Sequence, residues 1–168
     1  IELKSMQITL DNCHEILAWE GVNPDIFSMD IDSYDYYIVQ RLLNLNFRPT
    51  IICVETNSFL GSNPITVEYI KDFSRYDLHP GFGLYFGASP NAWRNLFSRF
   101  GYTSLGMESS GTNMFFILKE RLISPTEAVF EAADIHQKYF QAKYNKSGAE
   151  LERILLGSES LKFIDVRT

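Results

Sequence analysis

The sequence has few of the residues that mark a disulfide framework, a thiolate or imidazole metal site, or a nucleic-acid surface. Its 168 residues include two cysteines and three histidines. Cys13 lies in a helix-like stretch and Cys53 in an apolar, strand-like run, so their spacing predicts neither a disulfide framework nor a metal motif. The sequence has 15 basic and 21 acidic residues, so its net charge is −6, and no stretch concentrates lysine and arginine. We therefore expect no nucleic-acid partner.

The sequence also lacks long apolar runs and an obvious leader. No run approaches the roughly 20 apolar residues that span a bilayer, and the first residues lack a basic-then-apolar pattern. Hydrophobic residues make up 45% of the chain and charged residues 21%, which is ordinary for a globular domain. We expect a compact cytoplasmic protein with no membrane contact.

Strand-like runs and helical periodicity alternate through the first half of the sequence. Ser89 followed by Pro90 is typical of a helix start, and two final strands without a helix between them indicate an antiparallel edge. We expect an α/β fold with a mostly parallel sheet, in which the second and third strands are adjacent and buried. In order, the predicted elements are a strand over 3–8, a helix over 10–21, a strand over Ile26–Met29, a helix over 34–45, a strand over 50–54, a helix over 90–100, and strands over Tyr102–Met107 and Asn113–Leu118.

A long segment, 58–87, separates these two groups of elements. It is rich in glycine, proline, asparagine, serine and aromatic residues, and its length favours a functional loop. We expect it to cover the ligand crevice as a lid. His79 in this segment is either a general base or an ordinary solvated side chain. Gly81, Gly83 and Gly87 follow no strand and open no helix, so they do not form a phosphate-binding loop.

Two of the predicted strands end in oxygen-bearing pairs. Asp30 and Asp32 follow the strand over Ile26–Met29, and Glu55 and Asn57 follow the strand over 50–54. Residues two apart on a strand face the same side. The carboxyl ends of parallel strands border the ligand crevice, so these side chains form a candidate site for Mg²⁺, Mn²⁺ or Ca²⁺. Alternatively, Asp32 or Ser33 merely caps the following helix. Both interpretations can hold together.

Four sequence blocks occur in an order that resembles one known family. They are FSMDIDSYDY at 27–36, PTIICVETNS at 49–58, YFGAS at 85–89 and SSGTNMFF at 109–116. Over 9–118 the chain resembles the second half of FkbM-type methyltransferases. The resemblance implies a class I methyltransferase (Rossmann-like) sheet whose N-terminal strands and glycine-rich cofactor turn lie upstream of Ile1. Residues 1–123 would be the C-terminal part of that domain, and 124–168 a helical extension.

The resemblance also implies a reaction, methyl transfer from S-adenosylmethionine to a hydroxyl of a small molecule or sugar. Asp30 and Ile31 would contact the cofactor, Asp32 would act as the base beside Asp30, and Tyr85 and Ser89 would shape the acceptor pocket. Mg²⁺ or Mn²⁺ would assist the reaction. The implied ligands of that metal are Asp30, Asp32, Glu55 and Asn57.

The chain departs from the family pattern in one turn, and other functions stay open. The family usually has Gly-Asn where this chain has Ser33-Tyr34, so the turn is expected to differ in backbone shape. The partners would be further domains of a longer chain or a second copy. The alternative function is a non-catalytic interaction domain in which the acids only cap helices. A metal-dependent hydrolase shares the carboxylates but lacks supporting histidines.

Overall fold

The computed structural model describes residues 3–78, 83–123 and 141–167. None of the helices in these ranges is long and apolar enough to cross a membrane. The strands are β1 Ile26–Met29, β2 Ile51–Glu55, β3 Ile65–Val67, β4 Tyr102–Met107, β5 Asn113–Leu118 and β6 Phe163–Asp165. The helices are α1 Ile16–Glu20, α2 Asp35–Asn44, α3 Arg75–Leu78, α4 Pro90–Arg99 and α5 Gly148–Leu156, and short 3-10 turns cover Cys13–Glu15, Ser58–Leu60 and Lys119–Arg121.

The main sheet has four strands in the order β1-β2-β5-β4. Strands β1 and β2 are parallel, with Ile26 opposite Ile51, which confirms that the two predicted strands are adjacent. Strand β5 is antiparallel to both β2 and β4, and the β4–β5 hairpin forms the predicted antiparallel edge. The prediction of a mostly parallel sheet is wrong for the described residues, because β5 inserts directly beside β2 and makes two of the three pairings antiparallel.

Strand β1 forms one edge of this sheet and is not buried as predicted. Among the described residues no strand pairs with its outer side, and Ile26 is 67% exposed. Strand β2 lies inside the sheet, and its Ile52 and Val54 are fully buried. The predicted strand over 3–8 does not form. That stretch is instead held by Tyr34, whose hydroxyl donates to the carbonyl of Ile8 at 3.0 Å.

Helices α2 and α4 bury apolar faces against the main sheet. Ile38 and Leu42, four residues apart on α2, are fully buried, as helical periodicity predicts. Trp93 of α4 stacks on Phe97 with ring centroids 5.6 Å apart. Phe97 in turn packs on Phe116 of β5 at 4.3 Å. Each such buried side chain stabilises the fold by about 1.5–3 kcal/mol, so α4 is fixed firmly to the sheet.

The segment 58–87 is more ordered than its composition predicts. It contains β3, α3 and a set of buried apolar residues that form a second core with α5. Strand β3 pairs with β6 in a separate two-stranded sheet, which the sequence did not predict. The reason is that β6 lies about a hundred residues away and local periodicity carries no sign of such pairing. His79 and Gly81 lie outside the described residues. The second core comprises Phe59, Leu60, Val67, Leu84, Tyr85, Leu151, Leu155 and Leu161.

Candidate metal centre

Three acidic side chains meet where the parallel strands β1 and β2 end. Asp30 directly follows β1, and Glu55 is the last residue of β2. Because the strands are parallel and in register, these positions lie at the same edge of the sheet. One carboxylate oxygen from each of Asp30, Asp32 and Glu55 lies within 4.8 Å of the others. The structure thus brings three of the four expected metal ligands together.

In the turn between β1 and α2, Asp35 and not one of the three clustered acids accepts the hydrogen bonds of the backbone. The side chain of Asp35 accepts hydrogen bonds from the backbone N–H of Ile31 at 2.9 Å and of Ser33 at 3.1 Å. Tyr34 is the N-cap residue and makes no side-chain cap bond. Asp35 therefore satisfies the N–H groups of the turn, and neither Asp32 nor Ser33 caps α2. The interpretation that Asp32 or Ser33 caps α2 is therefore wrong, and the metal interpretation of the acids stays a prediction.

The backbone of this turn also explains how it forms without glycine. The left-handed residue is Asp32, with φ of 55°, and Ser33 has no positive φ. Aspartate tolerates this region better than most non-glycine residues because its short side chain can hydrogen-bond locally. Ser33 itself therefore needs no glycine-like conformation, and the expected difference from the family's turn stays a prediction. The unusual conformation falls instead on one of the clustered acids.

Glu55 is the buried member of the cluster, with 8% of its surface exposed. Its Oε2 has no hydrogen-bond partner among the described residues. The pKa of Glu55 is raised to about 8; burial is the largest cause, the negative charges of Asp30, Asp32 and Asp35 add to the increase, and Arg75 opposes it. An unpaired buried polar atom costs about 1–3 kcal/mol. A cation placed among the three carboxylates would remove that cost.

Asp30 is more exposed than Glu55 and shares its electrostatic environment. Burial raises the pKa of Asp30, the neighbouring Asp32 adds to the increase, and Arg75 lowers it. Two carboxylates in one cluster with raised pKa values indicate a local excess of negative charge. Such a site favours hard, oxygen-preferring cations, because every candidate ligand atom in it is a carboxylate oxygen.

Arg75 is a charged residue at the acidic cluster that the sequence alone did not indicate. It begins α3, and its Nη1 donates to Oδ1 of Asp32. The guanidinium lies over the ring of Phe86, 4.8 Å from its centroid. A signal was present, because Arg75 is the only arginine in the segment 58–87. A segment expected to cover an acidic crevice should carry a balancing cation. The segment does reach the crevice through this residue.

Asn57 does not belong to the metal-ligand set, contrary to the prediction. It is fully buried, and its Oδ1 accepts from the backbone N–H of Phe59 at 3.1 Å. Its Nδ2 donates to the carbonyls of Leu84 at 2.8 Å and Phe86 at 3.0 Å. The amide therefore caps a 3-10 turn and joins it to the backbone of residues 84–86. Its hydrogen-bonding capacity is committed to the backbone, so we do not assign it to the metal.

Tyr85 is a second correction, because its hydroxyl serves the second core and not an acceptor pocket. The side chain is 1% exposed. Its hydroxyl donates to the carbonyl of Lys162 at 2.6 Å and accepts from the N–H of Glu68 at 3.2 Å. The ring stacks on Phe73 at 5.8 Å. These contacts tie the region around β3 to the chain just before β6, which is a structural role.

Ser89 also departs from its predicted role at an acceptor pocket. It caps α4 as predicted, and the contacts of its hydroxyl are to the backbone. Its Oγ accepts from the N–H of Ala92 at 3.1 Å and of Ile65 at 3.2 Å. It also donates to the carbonyl of Asn63 at 2.6 Å. The hydroxyl is fully buried and has no capacity left for an acceptor. We therefore do not assign Ser89 to an acceptor pocket.

The described residues do not form a cradle for S-adenosylmethionine. The N–H of Ile31 is taken by Asp35, and its side chain packs against the main core. Within 3–78, 83–123 and 141–167, no strand runs through a glycine-rich turn into a helix. Of the two predicted cofactor contacts, Asp30 alone remains at the edge of the crevice, and one residue does not form a cofactor site.

Comparison with known proteins adds no assignment to this geometry. No protein-family model matches the chain, and neither the curated proteins nor the solved structures give a match. Functional inference therefore depends on the acidic cluster and on the sequence resemblance.

Proposed function

We propose that this chain is the acceptor-binding part of an O-methyltransferase that uses S-adenosylmethionine and a divalent cation, Mg²⁺ or Mn²⁺. The observation that carries the proposal is the cluster of Asp30, Asp32 and Glu55, whose carboxylate oxygens lie within 4.8 Å of one another. The buried, unpartnered Oε2 of Glu55 supports a cation at this point. The acceptor would be a hydroxyl of a small molecule or sugar.

The sequence blocks that resemble methyltransferases support the transfer reaction. Blocks 27–36 and 49–58 contain β1 from Phe27 onward, the turn before α2, and β2, and so include all three clustered acids. When bound, S-adenosylmethionine would supply the electrophilic methyl group and leave as S-adenosylhomocysteine. What this chain must provide is a place for the acceptor oxygen and a destination for its proton.

The three acids divide these tasks by their exposure. Glu55, Asp30 and one carboxylate oxygen of Asp32 would hold the cation, and a bound cation lowers the pKa of a hydroxyl that it contacts. The Asp32 side chain is 56% exposed, so an acceptor can reach it. The second carboxylate oxygen of Asp32 would accept the hydroxyl proton as general base. Sugar and catechol hydroxyls, which ionise poorly near neutral pH, are the acceptors that need such help.

The test is methyl transfer by protein expressed from its complete reading frame. Labelled methyl from S-adenosylmethionine is offered to a panel of catechols and monosaccharides, with Mg²⁺, with Mn²⁺, or with chelator. We expect a labelled product that chelator abolishes and added cation restores. Glu55→Gln should lower the rate at least about a hundredfold, while the exposed Glu159→Gln leaves it unchanged. No product with any acceptor would refute methyl transfer, and a chelator-indifferent rate would refute the role of the cation.

A non-catalytic interaction domain is the second candidate, and one observation favours it. Strand β1 has an outer edge that pairs with no other described strand, and Ile26 on it is 67% exposed. Unpaired edges accept strands from other chains. If association is the function, Ile26→Lys should abolish it in light scattering while Glu55→Gln has no effect. Loss of methylation in Glu55→Gln, with full methylation in Ile26→Lys, would exclude this candidate.

A further inference from the structure

Arg75 provides the positive charge that the acidic cluster contacts in this structure. Its Nη1 donates to Asp32, and its Nη2 donates to the hydroxyl of Tyr76 at 3.1 Å. The side chain is 17% exposed, against 56% for that of Asp32. The guanidinium is thus packed into the site on Phe86, and its charge is poorly screened by solvent.

The guanidinium and a divalent cation would draw on the same negative charge. Arg75 binds the carboxylate of Asp32, and one oxygen of that carboxylate, one of Asp30 and one of Glu55 all lie within 4.8 Å of one another. The bond from Arg75 uses Oδ1 of Asp32, an oxygen of one of the three candidate ligands. Two cations in one small, partly buried site repel each other. Binding of a divalent cation must therefore overcome the contact between Arg75 and Asp32.

The position of Arg75 in the fold makes such a displacement feasible. It lies on α3, a helix of four residues, whereas Asp30 and Glu55 lie at the ends of paired strands of the main sheet. Tyr76, which receives its second hydrogen bond, is 59% exposed. The Nε of Arg75 has no partner among the described residues. Few specific bonds hold the guanidinium besides the one to Asp32.

We propose that Arg75 is the internal counterion of this site and sets its affinity for divalent cations by competing with them for Asp32. The inference rests on the cation site of the proposed function. Arg75 is accordingly a positioning residue that acts through Asp32. A purely structural ion pair makes a different prediction, because removing either partner would then affect stability alone.

The experiment measures Mn²⁺ affinity by electron paramagnetic resonance at low ionic strength. Arg75→Gln removes the charge, and we expect it to bind Mn²⁺ roughly tenfold tighter than the wild type. Arg75→Lys keeps the charge and should remain near the wild-type affinity. Asp32→Asn removes a ligand and should bind more weakly. Arg167→Gln, which breaks the exposed pair with Asp165, serves as the matched control and should change nothing.

Each outcome decides one of the two proposals. Wild-type binding with an unchanged or weaker Arg75→Gln variant overturns the competition and leaves the cation site standing. Equal tightening in Arg75→Lys contradicts the charge argument. Binding in neither the wild type nor Arg75→Gln overturns the cation site itself, and the competition with it. Tightening in Arg75→Gln and weakening in Asp32→Asn supports both.

A second measurement needs no variant that must fold. In the wild-type protein, titration with Mg²⁺ should shift the Arg75 Nε–H resonance in proportion to site occupancy, because the guanidinium leaves Asp32. The Arg94 Nε–H resonance, from helix α4, serves as the reference and should stay constant. Saturation of the site with Mg²⁺ and no movement of the Arg75 signal would overturn the competition.

Discussion

The indole N–H of Trp93 donates a 2.9 Å hydrogen bond to the backbone carbonyl of Glu55. Trp93 is fully buried and belongs to α4, which packs on the sheet from one side. The bond therefore connects the hydrophobic core to the end of strand β2. It holds the backbone of Glu55 while the carboxylate is left to face Asp30 and Asp32.

Trp93→Phe tests this support. The variant keeps an aromatic ring but leaves the buried carbonyl of Glu55 without its donor, so the free energy of unfolding should fall by about 1–3 kcal/mol. Mn²⁺ affinity should weaken severalfold, because the end of β2 is less fixed. Trp19→Phe is the matched control, since Trp19 is 37% exposed, and it should cost under about 0.5 kcal/mol. Equal effects of the two variants would contradict the role of Trp93.

The raised pKa of Glu55 predicts how stability depends on pH without divalent cations. Its carboxyl keeps a proton in the folded chain up to about pH 8, against an ordinary pKa of 4.5. The folded state then binds more protons than the unfolded state between these values, so the contribution to stability falls as pH rises through them. The loss is roughly 1 kcal/mol per pH unit. It is complete above about pH 8.

Denaturation of wild type and Glu55→Gln across this pH range isolates the effect. The neutral variant should gain on the wild type as pH rises, and added Mg²⁺ should stabilise the wild type alone. Glu159→Gln, at an exposed position, should follow the wild type throughout. Parallel stability curves for wild type and Glu55→Gln would show that Glu55 is ionised and solvated in the folded state.

The corrected role of Asn57 makes a contrasting prediction. Asn57→Ala removes three hydrogen bonds to the buried backbone around Phe59, Leu84 and Phe86. The free energy of unfolding should fall by roughly 3 kcal/mol, while the folded fraction binds Mn²⁺ with wild-type affinity. Loss of Mn²⁺ binding in a fully stable Asn57→Ala variant would return Asn57 to the ligand set.

Features set by local sequence could be predicted, and features set by distant contacts could not. The start of α4 follows from Ser89 and Pro90, and Ser89 indeed accepts from the N–H of Ala92. The hairpin of β4 and β5 likewise follows from two apolar runs around a short polar loop. The place of β5 beside β2 depends on which strands meet in three dimensions, and the run of apolar residues in β5 does not specify its partner.

The same limit applies to the site. The convergence of Asp30 and Glu55 could be inferred, because it requires adjacent parallel strands and nothing else. The separation of Asn57 from the cluster could not, because it depends on carbonyls of Leu84 and Phe86 some thirty residues away. Arg75 reaches Asp32 across 43 positions by way of a segment whose composition resembles a loop. Contacts of that kind appear only once the second core has formed.

The most direct test of the cation site is anomalous X-ray diffraction from crystals soaked in Mn²⁺. The account predicts one anomalous peak between β1 and β2, with oxygens of Asp30, Asp32 and Glu55 at roughly 2.0–2.6 Å and Arg75 withdrawn from Asp32. The peak should vanish in Glu55→Gln and persist in Glu159→Gln. A fully soaked crystal with no peak among these three carboxylates, and Arg75 still bound to Asp32, would contradict it.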